Sequence, residues 1–333
     1  MRPTTLGSSV GDGLVRCDVC QWRCEVAPGD AGRCLVRRND GGTLMALNDG
    51  LISAATIAPI EDHGFLHFFP ESIALALGSW GTPFPKEQER STYAFMPETE
   101  SGRRVLEAER AVRFAQERLC RGIVWTYNDP LMEFEYLYDG VRLARAASRY
   151  TAIVSGGYWT IEALDMLGPY LDGINLRLFG FSDDSYAALA GVPQWRGIID
   201  AARRALRRWR CHLEITYLLQ PGANDSVGEL QALAAWVREQ LIPIIPIHVM
   251  PAQEGSNAGI AHARQVLRQE GLKFVYGPDR TETTRCPSCG WPVIERPGGI
   301  PKLIGVEQGL CDNCGADLYL RRSMFKPLST GGE

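Results

Sequence analysis

Gly122-Ile-Val-Trp-Thr-Tyr-Asn-Asp-Pro130 is a short β-rich run that ends on its own helix cap. Ile123, Val124 and Trp125 suit a buried strand, Asn128 or Asp129 can cap a helix, and Pro130 fits the first helical position, where a missing N–H costs nothing. Similar runs recur on both sides, at Ile73 to Gly78, Tyr150 to Ser155, Gly173 to Leu178, Cys211 to Leu219, Ile242 to Val249 and Leu272 to Tyr276. Helical patterns fill the gaps. Val105, Ala108, Val112, Ala115 and Leu119 share one face, and Ser226 with Glu229 forms a capping-box pattern before Leu230 and Leu233. Seven strands separated by six helices imply an α/β fold with a parallel sheet and right-handed crossovers. The span of about 205 residues falls short of the roughly 250 of an eight-fold barrel, so the expected architecture is a partial (β/α)6-type TIM barrel.

In such a sheet ligands bind where strands end, at their C-terminal edge. The residues there are Tyr127, Asn128 and Asp129 after the second run, Ser155-Gly156-Gly157-Tyr158 after the third, Arg177 to Phe181 at the fourth, and His248 before Met250 and Pro251. Gly156 and Gly157 either admit a ligand to the backbone or only make a turn.

Eight of the ten cysteines form two groups at opposite ends of the chain. Cys286-Pro-Ser-Cys289-Gly and Cys311-Asp-Asn-Cys314-Gly are two knuckles that turn four thiols toward one point, the pattern of a structural zinc ribbon or a single iron held in the rubredoxin manner. Cys17-x2-Cys20-x3-Cys24, followed after a nine-residue gap by Cys34, is less regular, and zinc or an iron–sulfur cluster are both compatible with it. Four protein ligands would close either site. Cys120 and Cys211 are expected as core thiols.

The boundaries expected are a four-cysteine element and lead-in over 1–71, the partial barrel over 72–280, the ribbon over 281–322 and a tail over 323–333. With 333 residues, 45% hydrophobic and 22% charged, the chain can bury a sizeable core. The net charge of −4 and the lack of a basic, aromatic-interleaved platform argue against nucleic acid. Apolar runs such as Leu241 to Val249 are too short to span a bilayer, and the first residues show no secretory pattern, so a cytoplasmic location is expected. His63 and His67 beside Glu61 and Asp62 are expected in packing roles, and the run Arg203, Arg204, Arg207, Arg208 and Arg210 as a solvated helix face.

Several strings, in order, resemble the radical SAM proteins of the AmmeMemoRadiSam system, relatives of pyruvate formate-lyase activating enzymes. They are the four-cysteine element with Cys34-Leu-Val-Arg37-Arg-Asn39-Asp-Gly-Gly42, then Pro59-Ile-Glu61, His67-Phe-Phe-Pro70 and Thr126-Tyr-Asn-Asp-Pro130. Ser155-Gly-Gly-Tyr158, Gly180-Phe-Ser-Asp-Asp-Ser-Tyr186, Gln220-Pro-Gly-Ala-Asn-Asp225 and the ribbon continue the series. The resemblance implies a [4Fe-4S] cluster held by a C-x3-C-x2-C loop after the first parallel strand, with one iron open to S-adenosylmethionine.

That loop reads Ala76-Leu-Gly-Ser-Trp-Gly-Thr-Pro-Phe-Pro-Lys-Glu-Gln-Glu89, with Thr82, Lys86 and Glu89 at the three cysteine positions. None is a thiolate, so the standard cluster cannot assemble there. By the same alignment an acidic residue and a lysine of the fourth strand become Arg177 and Phe179, and an asparagine becomes Gly156. The cofactor-binding residues implied are Tyr127, Asn128, Asp129, Gly156, Gly157, Arg177 and His248. The expected function is that of a degenerate radical SAM-like protein: a metal-binding pseudoenzyme, scaffold or complex subunit with a protein partner, able to bind S-adenosylmethionine or another small ligand. The alternative is a redox or S-adenosylmethionine-dependent enzyme whose cluster is held by the N-terminal cysteines.

Overall fold

The computed structural model describes residues 1–253 and 255–324; the expected tail lies, from residue 325 on, outside the described residues. Apolar runs with β-branched residues assemble into one eight-stranded sheet. Its strands are β1 (Ala54–Pro59), β2 (Ile73–Gly78), β3 (Gly122–Trp125), β4 (Tyr150–Ser155), β5 (Gly173–Leu178), β6 (His212–Leu219), β7 (Ile247–Pro251) and β8 (Val275–Tyr276). They lie side by side in chain order, with β1 antiparallel to β2 and β2 to β8 parallel. Among the described residues, besides the single turn Pro85–Gln88, seven helices follow the strands: α1 (Ala108–Glu117), α2 (Phe134–Ala146), α3 (Ile161–Leu167), α4 (Asp183–Leu189), α5 (Gly197–Arg207), α6 (Val227–Gln240) and α7 (Ile260–Gln269). Their apolar stripes share one core with every second sheet residue, for example Leu213, Ile215, Tyr217 and Leu219 of β6.

Four local expectations differ from the structure. The buried face of α1 is Ala108, Ala111, Val112 and Ala115, while Val105 lies in a short strand before the helix and Leu119 beyond its end, both exposed. β1 has no expected counterpart, because it lies at the sheet edge with Ala55, Thr56 and Ile57 exposed in succession and so shows no in–out alternation to read. β7 begins at Ile247 rather than Ile242, since Pro243 and Pro246 lack the N–H a ladder needs. At α6 only half the capping box forms. The Ser226 hydroxyl accepts from the Glu229 amide at 3.3 Å, while the Glu229 carboxylate turns away to the Ser185 hydroxyl at 2.6 Å. A reciprocal box is found instead at α4, between Ser182 and Ser185.

The opposite face of the sheet is divided. Its N-terminal half is covered by the segment after β1, where Ile60, Phe65, Phe68 and Phe69 pack on Ala74, Val124, Tyr150 and Ala152. Gly173 is required here, because a Cβ would lie 2.8 Å from the Phe68 ring. Asn175 fixes the segment by donating to the Gly64 carbonyl at 2.6 Å. The C-terminal half of this face carries the half-buried Val154, Arg177, Thr216, Leu218 and Met250.

The ribbon's strands Thr284–Arg285, Pro292–Glu295 and Lys302–Leu303 form a small sheet whose core, Val293, Ile294 and Leu318, joins Phe274 and Tyr276 beneath the main sheet. At the other end of the chain, two small three-stranded sheets carry the first cysteine group. They are tied to α2 by a buried ion pair, Arg37 to Glu135 at 2.8 Å, with each side chain 1% exposed. No helix among the described residues is long and apolar enough to cross a membrane.

Candidate functional site

The second cysteine group is a formed metal-type centre. Gly290 and Gly315 adopt left-handed backbone (φ 74° and 73°), and their amides return to the carbonyls of Cys286 and Cys311 at 2.9 and 2.8 Å. Each knuckle therefore turns its two sulfurs the same way. The ligand atoms of Cys286, Cys289, Cys311 and Cys314 all lie within 4.8 Å of one another, with Cys286–Cys314 at 3.6 Å and Cys289–Cys311 at 3.7 Å. A tetrahedron with metal–sulfur bonds of about 2.3 Å has edges of about 3.8 Å, so the spacing suits a tetrahedral thiolate ion such as zinc.

Cys17, Cys20, Cys24 and Cys34 do not meet that spacing, although Cys17, Cys20 and Cys34 are buried and Cys24 half-buried. Burial pushes the Cys17 thiol up to about 11, with Arg37 opposing it. The element they belong to packs on the loop after β2. Trp22 donates to the Pro83 carbonyl at 2.7 Å, Gln88 donates to the Arg33 carbonyl at 2.8 Å, and a Cβ on Gly81 would meet Val36 at 3.0 Å.

Within that loop Thr82, Lys86 and Glu89 are engaged in polar contacts. The Thr82 hydroxyl donates to Glu87 at 2.9 Å, and Lys86 pairs with Glu89 at 2.8 Å on the surface. The loop backbone is held by Asn128, which accepts from the Ser79 amide at 2.9 Å, and by Asn48, which donates to the Trp80 carbonyl at 3.0 Å. Phe84 turns inward, fully buried, and its ring lies 4.9 Å from that of Phe179.

The expected cofactor residues separate into two kinds. Gly156 and Gly157 serve packing, because a Cβ on Gly156 would stand 2.3 Å from Phe84 and one on Gly157 2.4 Å from Leu176. Asn128 is occupied by the loop. Asp129 accepts from the Leu131 and Gly156 amides and the Ser155 hydroxyl, and burial raises its carboxyl to about 6. Tyr127 and Arg177 face the open half. Tyr127 is left-handed at φ 75° and shares a 2.6 Å hydrogen bond with Thr56 at the exposed rim. Arg177 is 34% exposed and meets Glu87 at 3.2 Å.

His248 is not at the strand-end site, since it lies in the covered half. The Glu214 carboxylate there accepts from the Leu66 and His67 amides at 2.9 and 2.8 Å, from His212 Nε2 at 3.1 Å and from His248 Nε2 at 2.7 Å. A carboxylate only accepts, so both imidazoles carry their proton on Nε2. Burial works to raise the Glu214 carboxyl, and its histidine hydrogen bonds overcome this and hold it well below the usual range. His67 takes the other tautomer: Nδ1 donates to the Leu318 carbonyl at 2.8 Å, and Nε2 accepts from the Tyr276 hydroxyl at 2.7 Å. Burial pushes its pKa down to about 3.

The sequence reading missed Glu87 and Glu214. For Glu214 a signal was present, since His212, Glu214 and Thr216 place a polar residue at every second position of an otherwise apolar strand. A cleft of about 520 Å³ beside Gln21 and Trp195 is a weaker candidate, because its charges are matched internally, Arg23 with Asp18 and Glu162, and Arg196 with Asp183.

No known family profile matches the chain. An uncharacterized protein of Methanocaldococcus jannaschii is 28% identical over 331 residues, spanning 95% of this chain and 98% of that one. Among solved structures, a radical SAM methyltransferase from Sphaerobacter thermophilus aligns with 71% of this chain and 72% of its own, at 19% identity and a TM-score of 0.46. A domain of a pyruvate-formate lyase-activating enzyme from Bacteroides vulgatus aligns with 47% of this chain and 99% of its own, at 17% and 0.42. SuiB of Streptococcus suis, bound to S-adenosylmethionine, aligns with 66% of this chain and 49% of its own, at 13% and 0.45.

Proposed function

We propose that the chain is a degenerate radical SAM-like protein of the AmmeMemoRadiSam kind, with a partial barrel as its body. It acts as a metal-supported binding subunit rather than a radical enzyme, taking a small ligand on the open half of the sheet face and working with a protein partner. The loop after β2 carries this reading: Thr82, Lys86 and Glu89 are engaged in polar contacts with Glu87 and each other, and Phe84 fills the space above Gly156. The C-terminal centre supplies folding energy to a ribbon with little core of its own.

Anaerobic purification with metal analysis and visible absorption tests the reading. Zinc at one or both cysteine sites, no iron–sulfur absorption and no reductive cleavage of S-adenosylmethionine are expected. Iron and sulfide in a four-to-four ratio, lost in Cys17→Ala or Cys34→Ala, would overturn it in favour of a second reading, an enzyme whose cluster sits at the N-terminal cysteines. The contacts of Trp22 with Pro83 and Gln88 with Arg33 favour that alternative, because they set this cysteine element against the very loop where the cluster is missing.

A further inference from the structure

The open half of the sheet face holds a guanidinium whose bonding is incomplete. Arg177 projects from β5 beside Thr216 of β6, and its one polar contact among the described residues is Nη2 to Glu87 Oε1 at 3.2 Å. A guanidinium offers five N–H donors in a fork shaped for an oxyanion, so four remain unused. The buried Arg37 differs, with contacts to Thr4, the Met132 carbonyl and both oxygens of Glu135.

Glu87 belongs to the single helical turn Pro85–Gln88, and its other oxygen accepts from Thr82. A carboxylate of the chain thus already rests where an external oxyanion would bind. A single long contact to a partly exposed arginine is a weak pair, which a better-placed anion can displace. Asp129 does not compete for Arg177, because its oxygens are committed to Leu131, Ser155 and Gly156. Around Arg177 the face is apolar, with Val154, Leu218 and Met250 half-buried. Tyr127 follows β3 and its hydroxyl reaches Thr56 of β1, so these two hydroxyls offer a second polar point at the far rim of the face, four strands from Arg177 and about 19 Å away at the usual strand spacing.

We propose that Arg177 anchors the oxyanion of a small ligand with an apolar body, a carboxylate or a phosphate monoester, and that Glu87 is the internal carboxylate the ligand displaces. This rests on the reading of the open half as a ligand-binding face and names the class of ligand it takes.

The test is calorimetric titration of the full, metal-loaded chain with phenyl phosphate, phenylacetate, neutral benzyl alcohol and S-adenosylmethionine. The wild type is expected to bind at least one of the two anions and not the alcohol, with the preferred anion distinguishing phosphate from carboxylate. Glu87→Gln, which frees the guanidinium, is expected to tighten that binding about ten-fold, and Arg177→Gln to weaken it ten-fold or more, while both variants keep the thermal midpoint of the wild type. Anion binding that ignores Arg177→Gln would overturn the proposal. So would S-adenosylmethionine binding that ignores it while neither anion binds, although the face would then still be a ligand site. Binding of none of the four would remove both the proposal and the ligand-binding reading.

Discussion

The two halves of one sheet face are built from the same strands under opposite constraints. In the covered half the groups around Glu214 are answered: its carboxylate takes four donors, and His67 is bonded through both nitrogens, while Glu61 Oε2 and His63 Nε2 at the start of the covering segment have no partner among the described residues. In the open half Arg177 has one long contact and Tyr127 holds a left-handed backbone at the rim. Burial makes unpaired charge costly, whereas solvent lets the open half keep groups in reserve. The first pattern is that of a support, and the second is the one on which the proposed ligand site rests.

The contrast can be broken most severely from below. Cys311→Ser, or removal of the C-terminal metal by a chelator, is expected to unfold the ribbon and release its hold on the covered half. That hold includes the Leu318 carbonyl on His67 and the Arg321 backbone, which pairs with His67 and Phe69. Hydrogen exchange should then rise across residues 60–71 while α1 and α2 stay protected.

Next in size is Glu214→Ala, which strands two imidazoles and two amides and should cost about 3–5 kcal/mol in a urea titration. A third effect is on pH. The unfolded imidazole titrates near 6.5 and His67 in the folded protein near 3, so the folded state resists the proton. Its contribution is fully present above about pH 6.5 and is lost as pH falls toward 3. His67→Asn should flatten that part of the urea midpoint–pH curve.

In the open half, Arg177→Gln should change stability by no more than about 1 kcal/mol, since a partly exposed ion pair contributes little. Lys86→Ala combined with Glu89→Ala, which removes a surface i, i+3 pair, should fall within about 0.5 kcal/mol. A large loss from either would erase the distinction between the two halves.

Strands β2 to β6 were legible because each is an apolar run bounded by glycine, proline or polar residues, with its pattern complete within a few positions. β1 was not, since an edge strand exposed on both faces has no period. The ribbon centre could be read because both knuckles are local and their glycine positions follow from backbone geometry. The shared site of His248 and Glu214 could not, because its partners come from Leu66 and His67, about 150 residues before Glu214 in the chain. Gly156 reads as room for a ligand until Phe84, from a loop 72 residues earlier, is seen resting against it.

The strand order of the sheet has a consequence for how the chain is made. Because β2 to β8 are laid down in sequence, each new strand finds its neighbour already synthesised, and the sheet can grow as it emerges. The covering segment at Ile60–Phe69 cannot finish in that way. His67 waits for Tyr276, 209 residues later, and for Leu318, 251 residues later. The part of the body made nearly first is therefore completed nearly last, and a chain stopped before the ribbon should show residues 60–69 as its earliest protease cuts.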